Sequence, residues 1–178
     1  MSAPRIRPGT AREIGFVNAL VAKVLGLATG GKPPNVFTTL AKHRGLFRKW
    51  LVFAGGLMPG GTLRRAETEL LILYVARHEG CDYEWAHHEK LGRRAGLTEE
   101  AIGRVGRLDV GAAEWSPRER AFLAAARDLL EQREIGDEAY AALEAVADER
   151  EIIELCLLVG HYLMLASTLK SLRVPLDE

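Results

Sequence analysis

Four side chains in one short stretch are of types that move protons or attack electrophiles: Glu69, Cys81, Glu84 and His88. The run Cys81-Asp-Tyr-Glu84-Trp-Ala-His87-His88-Glu-Lys-Leu-Gly reads as a helix. Steps of three and four residues put positions 81, 84 and 88 on one stripe. Trp85, Gly92 and Ala95 share that face, so the stripe looks inward. A thiol, a carboxylate and an imidazole facing the interior are costly unless they satisfy one another. Cys81 opens the helix, where the dipole and free N–H groups favour a thiolate. Glu69 lies on the preceding helix, on the face of Ile72, Leu73 and Ala76, and the turn at Gly80 folds the two helices into a hairpin. Two carboxylates, an imidazole and a thiol around one small hollow suit proton transfer, because burial and a neighbouring carboxylate raise a carboxyl pKa toward neutrality.

Each residue also has a purely structural reading. Glu69 can pair with Arg65 one turn earlier, Cys81 can be a small buried hydrophobe, and His88 can be a core histidine bonded to Glu84. His87 falls nearer the polar face with Tyr83, which reads as surface or interface. His43, His78 and Cys156 stand apart and read as structural. His161, in an apolar helix, reads as a satisfied buried polar group with a lesser chance of lining the pocket. Four such residues on two linked helices favour a site over four separate coincidences.

The elements that must position them are helical throughout; strand-like alternation is nearly absent. Arg12 to Leu25 reads as a first helix, ended by Gly26 and the Gly30-Gly31-Lys-Pro-Pro breaker. A second runs from about Asn35 to Ala54, and a third from about Leu63 to Glu79, apolar on all sides at Leu70 to Ala76 as befits the middle of a bundle. The fourth spans Asp82 to Ala95. Thr98-Glu-Glu-Ala caps a short fifth. Ser116-Pro117-Arg-Glu119 sets a cap, an N1 proline and an N3 glutamate before a helix to about Arg133. Asp137 to Ala147 is short, and Asp148 caps a final long helix to about Leu172, stopped by Pro175.

These elements give a single all-α domain over residues 1–178, large enough for a real core. Lys plus Arg and Asp plus Glu number 24 each, so the net charge is zero and no footprint for nucleic acid or anionic membrane exists. Two distant cysteines in a chain able to bury its own core argue against a disulfide framework and point to a reducing compartment. Met1-Ser-Ala-Pro-Arg-Ile-Arg carries no secretory pattern, and Ile152 to Ala166, interrupted by Glu154, Gly160 and His161, is short and polar for a membrane span. The expectation is a cytoplasmic protein. The last helix is apolar on nearly every face, so a partner subunit is expected to cover part of it.

The ordered run of Glu69-Leu-Leu-Ile-Leu, Cys81-Asp-Tyr-Glu84-Trp-Ala-His-His88 and Ala95-Gly-Leu-Thr98 resembles the carboxymuconolactone decarboxylase and alkylhydroperoxidase D-like superfamily. The resemblance extends from about Asn35 to Ile102 and resumes at Arg150-Glu-Ile-Ile-Glu-Leu-Cys-Leu-Leu-Val-Gly, in a packing helix over 148–172. It implies an alkylhydroperoxidase D-like helical bundle that commonly assembles as a dimer, trimer or hexamer; the residues themselves are read first as a small-molecule enzyme with no cofactor or metal. The alkylhydroperoxidase branch carries a second cysteine at position 84, which attacks the peroxide, with a glutamate at position 69 and a histidine at position 88 relaying the proton. Here position 84 is glutamate, so a two-thiol cycle cannot run. The decarboxylase branch has a glutamate four residues before a histidine on this helix, as Glu84 and His88 are, and needs no cysteine.

Three functions follow. The first is a lyase-like enzyme on a lactone-acid-type substrate, with Glu84, His88 and Glu69 as its acid–base groups and Cys81 auxiliary. The second is a thiol-dependent peroxidase or antioxidant protein in which Cys81 is the one reactive sulfur and an external thiol resolves its sulfenic acid. The third is a metal-binding or non-catalytic oligomeric protein, with Glu84, His88 and Glu69 as part of a carboxylate–histidine site.

Overall fold

A computed structural model describes residues 3–29 and 31–177. Met1, Ser2 and Gly30, which enter the leader and breaker readings, lie outside them. The described residues form ten helices and no strand: α1 (Ala11–Ile14), α2 (Phe16–Thr29), α3 (Asn35–Leu40), α4 (Arg44–Leu57), α5 (Arg65–His78), α6 (Asp82–Ala95), α7 (Glu99–Gly106), α8 (Pro117–Glu131), α9 (Asp137–Glu144) and α10 (Glu149–Leu172). The all-α class expected from the sequence holds, with two helices divided. Gly15, at φ 82°, breaks the first into α1 and α2. Gly26 does not end α2, which runs on to Thr29. The expected Asn35–Ala54 helix divides into α3 and α4 around residues 41–43, where the His43 ring accepts the Leu46 N–H.

The chain separates into two compact units, Met1–Gly56 with Thr168–Glu178, and Leu57–Ser167. The first has a small core of Ile14, Ala41 and Phe47, against which Phe37, Leu40 and Trp50 pack. Phe47 stacks on Trp50 at 6.0 Å. Arg44 ties α4 to the end of α1 by donating to the carbonyls of Arg12 and Glu13 at 2.9–3.1 Å. The C-terminal tail returns here, with Asn35 donating to Asp177 and to the carbonyls of Pro175 and Leu176.

The second unit is built around α5, buried from Glu67 to Ala76. That all-round burial is what its apolar centre dictates. Helices α6, α7 and α8 pack against it. On α6, Gly92 lets the two backbones approach: a Cβ there would lie 3.3 Å from Leu73 and 3.8 Å from the Glu69 Cβ. Gly96, at φ 100°, ends α6 in the left-handed conformation expected of a C-terminal glycine. The expected caps are formed: Thr98 accepts the Ala101 N–H, Ser116 and Glu119 make a reciprocal box, and Asp148 accepts from Arg150 and Glu151. From α8, Arg118 is held between Glu67 and Glu151, donates to the Val146 carbonyl and lies 4.5 Å over the Phe122 ring.

Helix α10 is pinned by Glu154. Its carboxylate accepts from the Thr62 N–H and hydroxyl, both at 2.5 Å, and from the Leu63 N–H at 3.2 Å. Gly61 makes room for it, since a Cβ there would collide with the carboxylate and with the Leu57 carbonyl. The helix runs beyond the apolar segment expected at 152–166 and is, by length and composition, able to cross a membrane. Over its most apolar window 56% of it is buried within the protein, with Glu154 and His161 among the buried residues. Ile153, Leu157 and Met164 lie on its exposed face.

Candidate active site

The hairpin of α5 and α6 does bring the four singled-out side chains into one unit, all buried: Glu69 is 0% exposed, Cys81 and Glu84 2% and His88 6%. Glu69 and His88 meet directly, Oε2 to Nδ1 at 2.8 Å across the hairpin. With a carboxylate at Nδ1, that nitrogen carries the proton and donates it, leaving Nε2 bare as a base or acceptor. The other oxygen of Glu69, Oε1, lies 2.6 Å from Arg65 Nη2, one turn earlier on α5. Both readings of Glu69 therefore hold at once: it pairs with Arg65 and it orients His88. Arg65 is 40% exposed, so this ion pair runs from the surface to the buried imidazole.

Glu84 is held differently. Neither of its carboxyl oxygens has a hydrogen-bond partner among the described residues. Burial, opposed in part by the neighbouring Cys81 thiol and aided by the charge of Glu79, pushes its pKa up to about 8. At neutral pH Glu84 is mainly a neutral acid, as the sequence reading required of a buried carboxyl. The structural reading of His88 as bonded to Glu84 is not what forms; its partner is Glu69.

Cys81 corrects an expectation. It sits at the N-cap of α6, yet its thiol is pushed up to about 12, first by burial and then by the adjacent Glu84. The helix N-terminus does not make it a thiolate because desolvation outweighs the dipole at a thiol 2% exposed. Tyr83 is a second correction: it is buried rather than on the polar face, and its ring stacks on His87, which is half-buried. His161 is buried as expected, and burial lowers its pKa to about 4, so it is neutral.

Tyr162 is the residue of this site that the sequence did not flag. Its ring meets His88 edge-on at 5.2 Å and 90°, and meets His161 at 5.2 Å and 87°. Its phenol is pushed well above the ordinary tyrosine range by burial and by the carboxylates of Glu69 and Glu84. The available signal was two adjacent polar-tipped rings, His161-Tyr162, within an apolar helix. A cavity of about 670 Å³ in the same unit is lined by Arg64, Leu70, Ser116, Pro117, Arg118 and Val146, and by none of the four site residues. Among the described residues, no group of three or more His, Cys, Asp and Glu side chains is placed to hold a metal ion. Glu69 directs its oxygens to Arg65 and His88.

The carboxymuconolactone decarboxylase family pattern matches residues 44–128. No curated protein sequence matches this chain. Among solved structures, an alkylhydroperoxidase AhpD core, a peroxidase-related protein from Ralstonia eutropha JMP134, superposes with a TM-score of 0.84 at 19% identity, over 99% of this chain and 95% of that one. A peroxidase-related protein from Silicibacter sp. TM1040 gives 0.82 at 17% identity, over 99% and 91%. A cysteine-to-alanine variant of the debrominase Bmp8, in complex with 2,3,4-tribromopyrrole, gives 0.81 at 14% identity, over 97% and 91%. At these identities the likeness is one of fold. Residues 44–128, which include Glu69, Cys81, Glu84 and His88, are similar to the carboxymuconolactone decarboxylase family, and the fold is that of alkylhydroperoxidase D-like proteins.

Proposed function

We propose that this protein is a cofactor-free enzyme that transfers protons to and from carbon in a small organic acid of the lactone-acid class. The observation that carries this reading is Glu84, a buried carboxyl whose two oxygens have no hydrogen-bond partner among the described residues. Unsatisfied buried polar groups are rare and costly, and they concentrate where chemistry needs them. A pKa near 8 suits a general acid at neutral pH. In a decarboxylation the carbon–carbon bond to the carboxylate breaks, carbon dioxide leaves, and the electron pair passes into the conjugated carbonyl. Glu84 then delivers its proton to the carbon. The reaction consumes one proton from water: His88, with Nδ1 committed to Glu69, takes it up at Nε2 and passes it on to the Glu84 carboxylate, while Arg65 pairs with the other Glu69 oxygen.

The test is a parallel screen of lactone acids and organic hydroperoxides with wild type, Glu84→Gln and Cys81→Ser. Turnover of a lactone acid that is lost in Glu84→Gln and kept in Cys81→Ser is the expected result. Loss only in Cys81→Ser overturns it.

A second reading is favoured by the contact between the Cys81 thiol and Glu84, and by the debrominase of like fold whose bound form replaces a cysteine. Here Glu84, once ionised, takes the thiol proton. The thiolate breaks the O–O bond of a hydroperoxide, releasing an alcohol and leaving a sulfenic acid that an external thiol reduces. Hydroperoxide consumption surviving Cys81→Ser removes this reading.

A further inference from the structure

The catalytic imidazole has a second constraint besides Glu69. A hydrogen bond at Nδ1 fixes one atom of the ring but leaves the plane free to rock about the bond. The edge-on ring of Tyr162, 5.2 Å from His88 at 90°, blocks that rocking from the side of α10. His161 braces Tyr162 in turn, also nearly perpendicular, at 87°. His87 also meets His88, at 5.6 Å and 68°. The imidazole is thus in contact with two rings and bonded at Nδ1.

What places Tyr162 there is the register of α10. Glu154 stands eight residues earlier, a little over two turns, so both residues lie close to one face of the helix. Its three hydrogen bonds to Thr62 and Leu63 lock that face to the segment leading into α5. The same segment starts the helix that carries Glu69. One anchor therefore fixes α10 against α5, and the Glu69–His88 bond fixes α6 against α5, so the three helices agree on where the imidazole sits.

We propose that Tyr162 is a positioning residue: through its perpendicular ring, set in register by Glu154, it holds the His88 imidazole in the plane that keeps Nδ1 on Glu69 and one tautomer populated. The role belongs to the ring and not to the hydroxyl. This rests on the reading of His88 as a proton-transfer group, but its test needs no substrate, so a failed clamp and a failed reaction are told apart.

The experiment is nitrogen-15 NMR of the histidine rings in the full chain, comparing wild type with Tyr162→Phe, Tyr162→Leu, Glu154→Gln and Phe122→Leu. Phe122, on α8 beneath Arg118, serves as a control that removes a buried aromatic ring away from the imidazole. Wild type and Tyr162→Phe are expected to show one protonated and one bare nitrogen for His88. Tyr162→Leu is expected to average the two signals. Glu154→Gln is expected to average them in part. A Tyr162→Leu spectrum matching wild type overturns the proposal, as does Tyr162→Phe or Phe122→Leu shifting His88 as far as Tyr162→Leu does.

Discussion

The two halves of the site sit on neighbouring turns of the same hairpin and are built on opposite principles. Glu69 and His88 are tied to each other, to Arg65 and to the edge of Tyr162. Glu84 and Cys81 are just as buried, yet the Glu84 carboxyl has no partner beyond the neighbouring thiol, which lies against that carboxyl and the backbone N–H groups of Tyr83 and Glu84. The first half holds geometry: Glu69 is hydrogen-bonded to His88 through one oxygen and ion-paired with Arg65 through the other, and removing one partner strands another. The second half holds proton affinity, with a carboxyl and a thiol both kept neutral because the interior disfavours their charged forms. A site that must aim one group and tune another gains from separating the two tasks.

The sharpest way to break this contrast is Glu84→Gln. General acid–base groups contribute about 10²–10⁴-fold in rate, and a loss of that order in turnover is expected. The variant also has a signature that needs no substrate. Below about pH 4.5 the carboxyl is protonated in folded and unfolded chains alike. Above that the unfolded chain ionises, while the folded protein keeps its proton until about pH 8. The folded state therefore loses stability as pH rises through this interval, and the amide escapes the loss. Melting temperatures should show Glu84→Gln gaining on wild type from pH 5 to pH 8. A difference that stays flat with pH means that Glu84 is not held neutral.

Glu69→Ala should act through structure first. It leaves the buried Nδ1 of His88 without its acceptor, a loss of about 1–3 kcal/mol, and frees the ring to change tautomer. Denaturant titration at fixed pH reads the stability change. Because the pair is saturated, Glu69→Gln should recover part of the stability and little of the turnover, since an amide can accept from Nδ1 but does not stabilise a charged imidazole. Equal loss of stability in the alanine and glutamine variants would place the energy in the Arg65 ion pair instead.

The same contrast explains what the sequence made legible. The α6 stripe of Cys81, Glu84 and His88 could be read because i, i+3 and i+4 spacing is a property of one helix. The Glu69 pairing followed from one turn at Gly80 between two adjacent helices. Tyr162 could not be read in this way, because its contact with His88 depends on the register of α10, which Glu154 sets by bonding to Thr62 far away in the chain. The state of Cys81 was misjudged for a related reason. Position at a helix start is visible in sequence, but the desolvation that outweighs it is a property of the packed interior. The break at Gly15 shows the local limit: one glycine at positive φ divides a pattern that is otherwise continuously helical.

The smallest effect expected concerns Cys81 itself. If the thiol is held neutral, alkylation of the native protein at pH 7 should be slow there and should begin at Cys156. Both thiols are shifted up by burial, but Cys156 is half-buried while Cys81 is 2% exposed and faces Glu84. Mass spectrometry after brief iodoacetamide treatment separates the two sites. Because the thiolate is the nucleophile, a thiol at about 12 has on the order of 10⁻⁵ of its population reactive at pH 7, before any steric shielding is counted. Glu84→Gln should then change little, since burial is the larger cause of the thiol's shift and the carboxyl the smaller. Rapid labelling of Cys81 in the wild type would reverse the comparison, making the thiol half of the pair the poised one and the single-thiol reading the stronger.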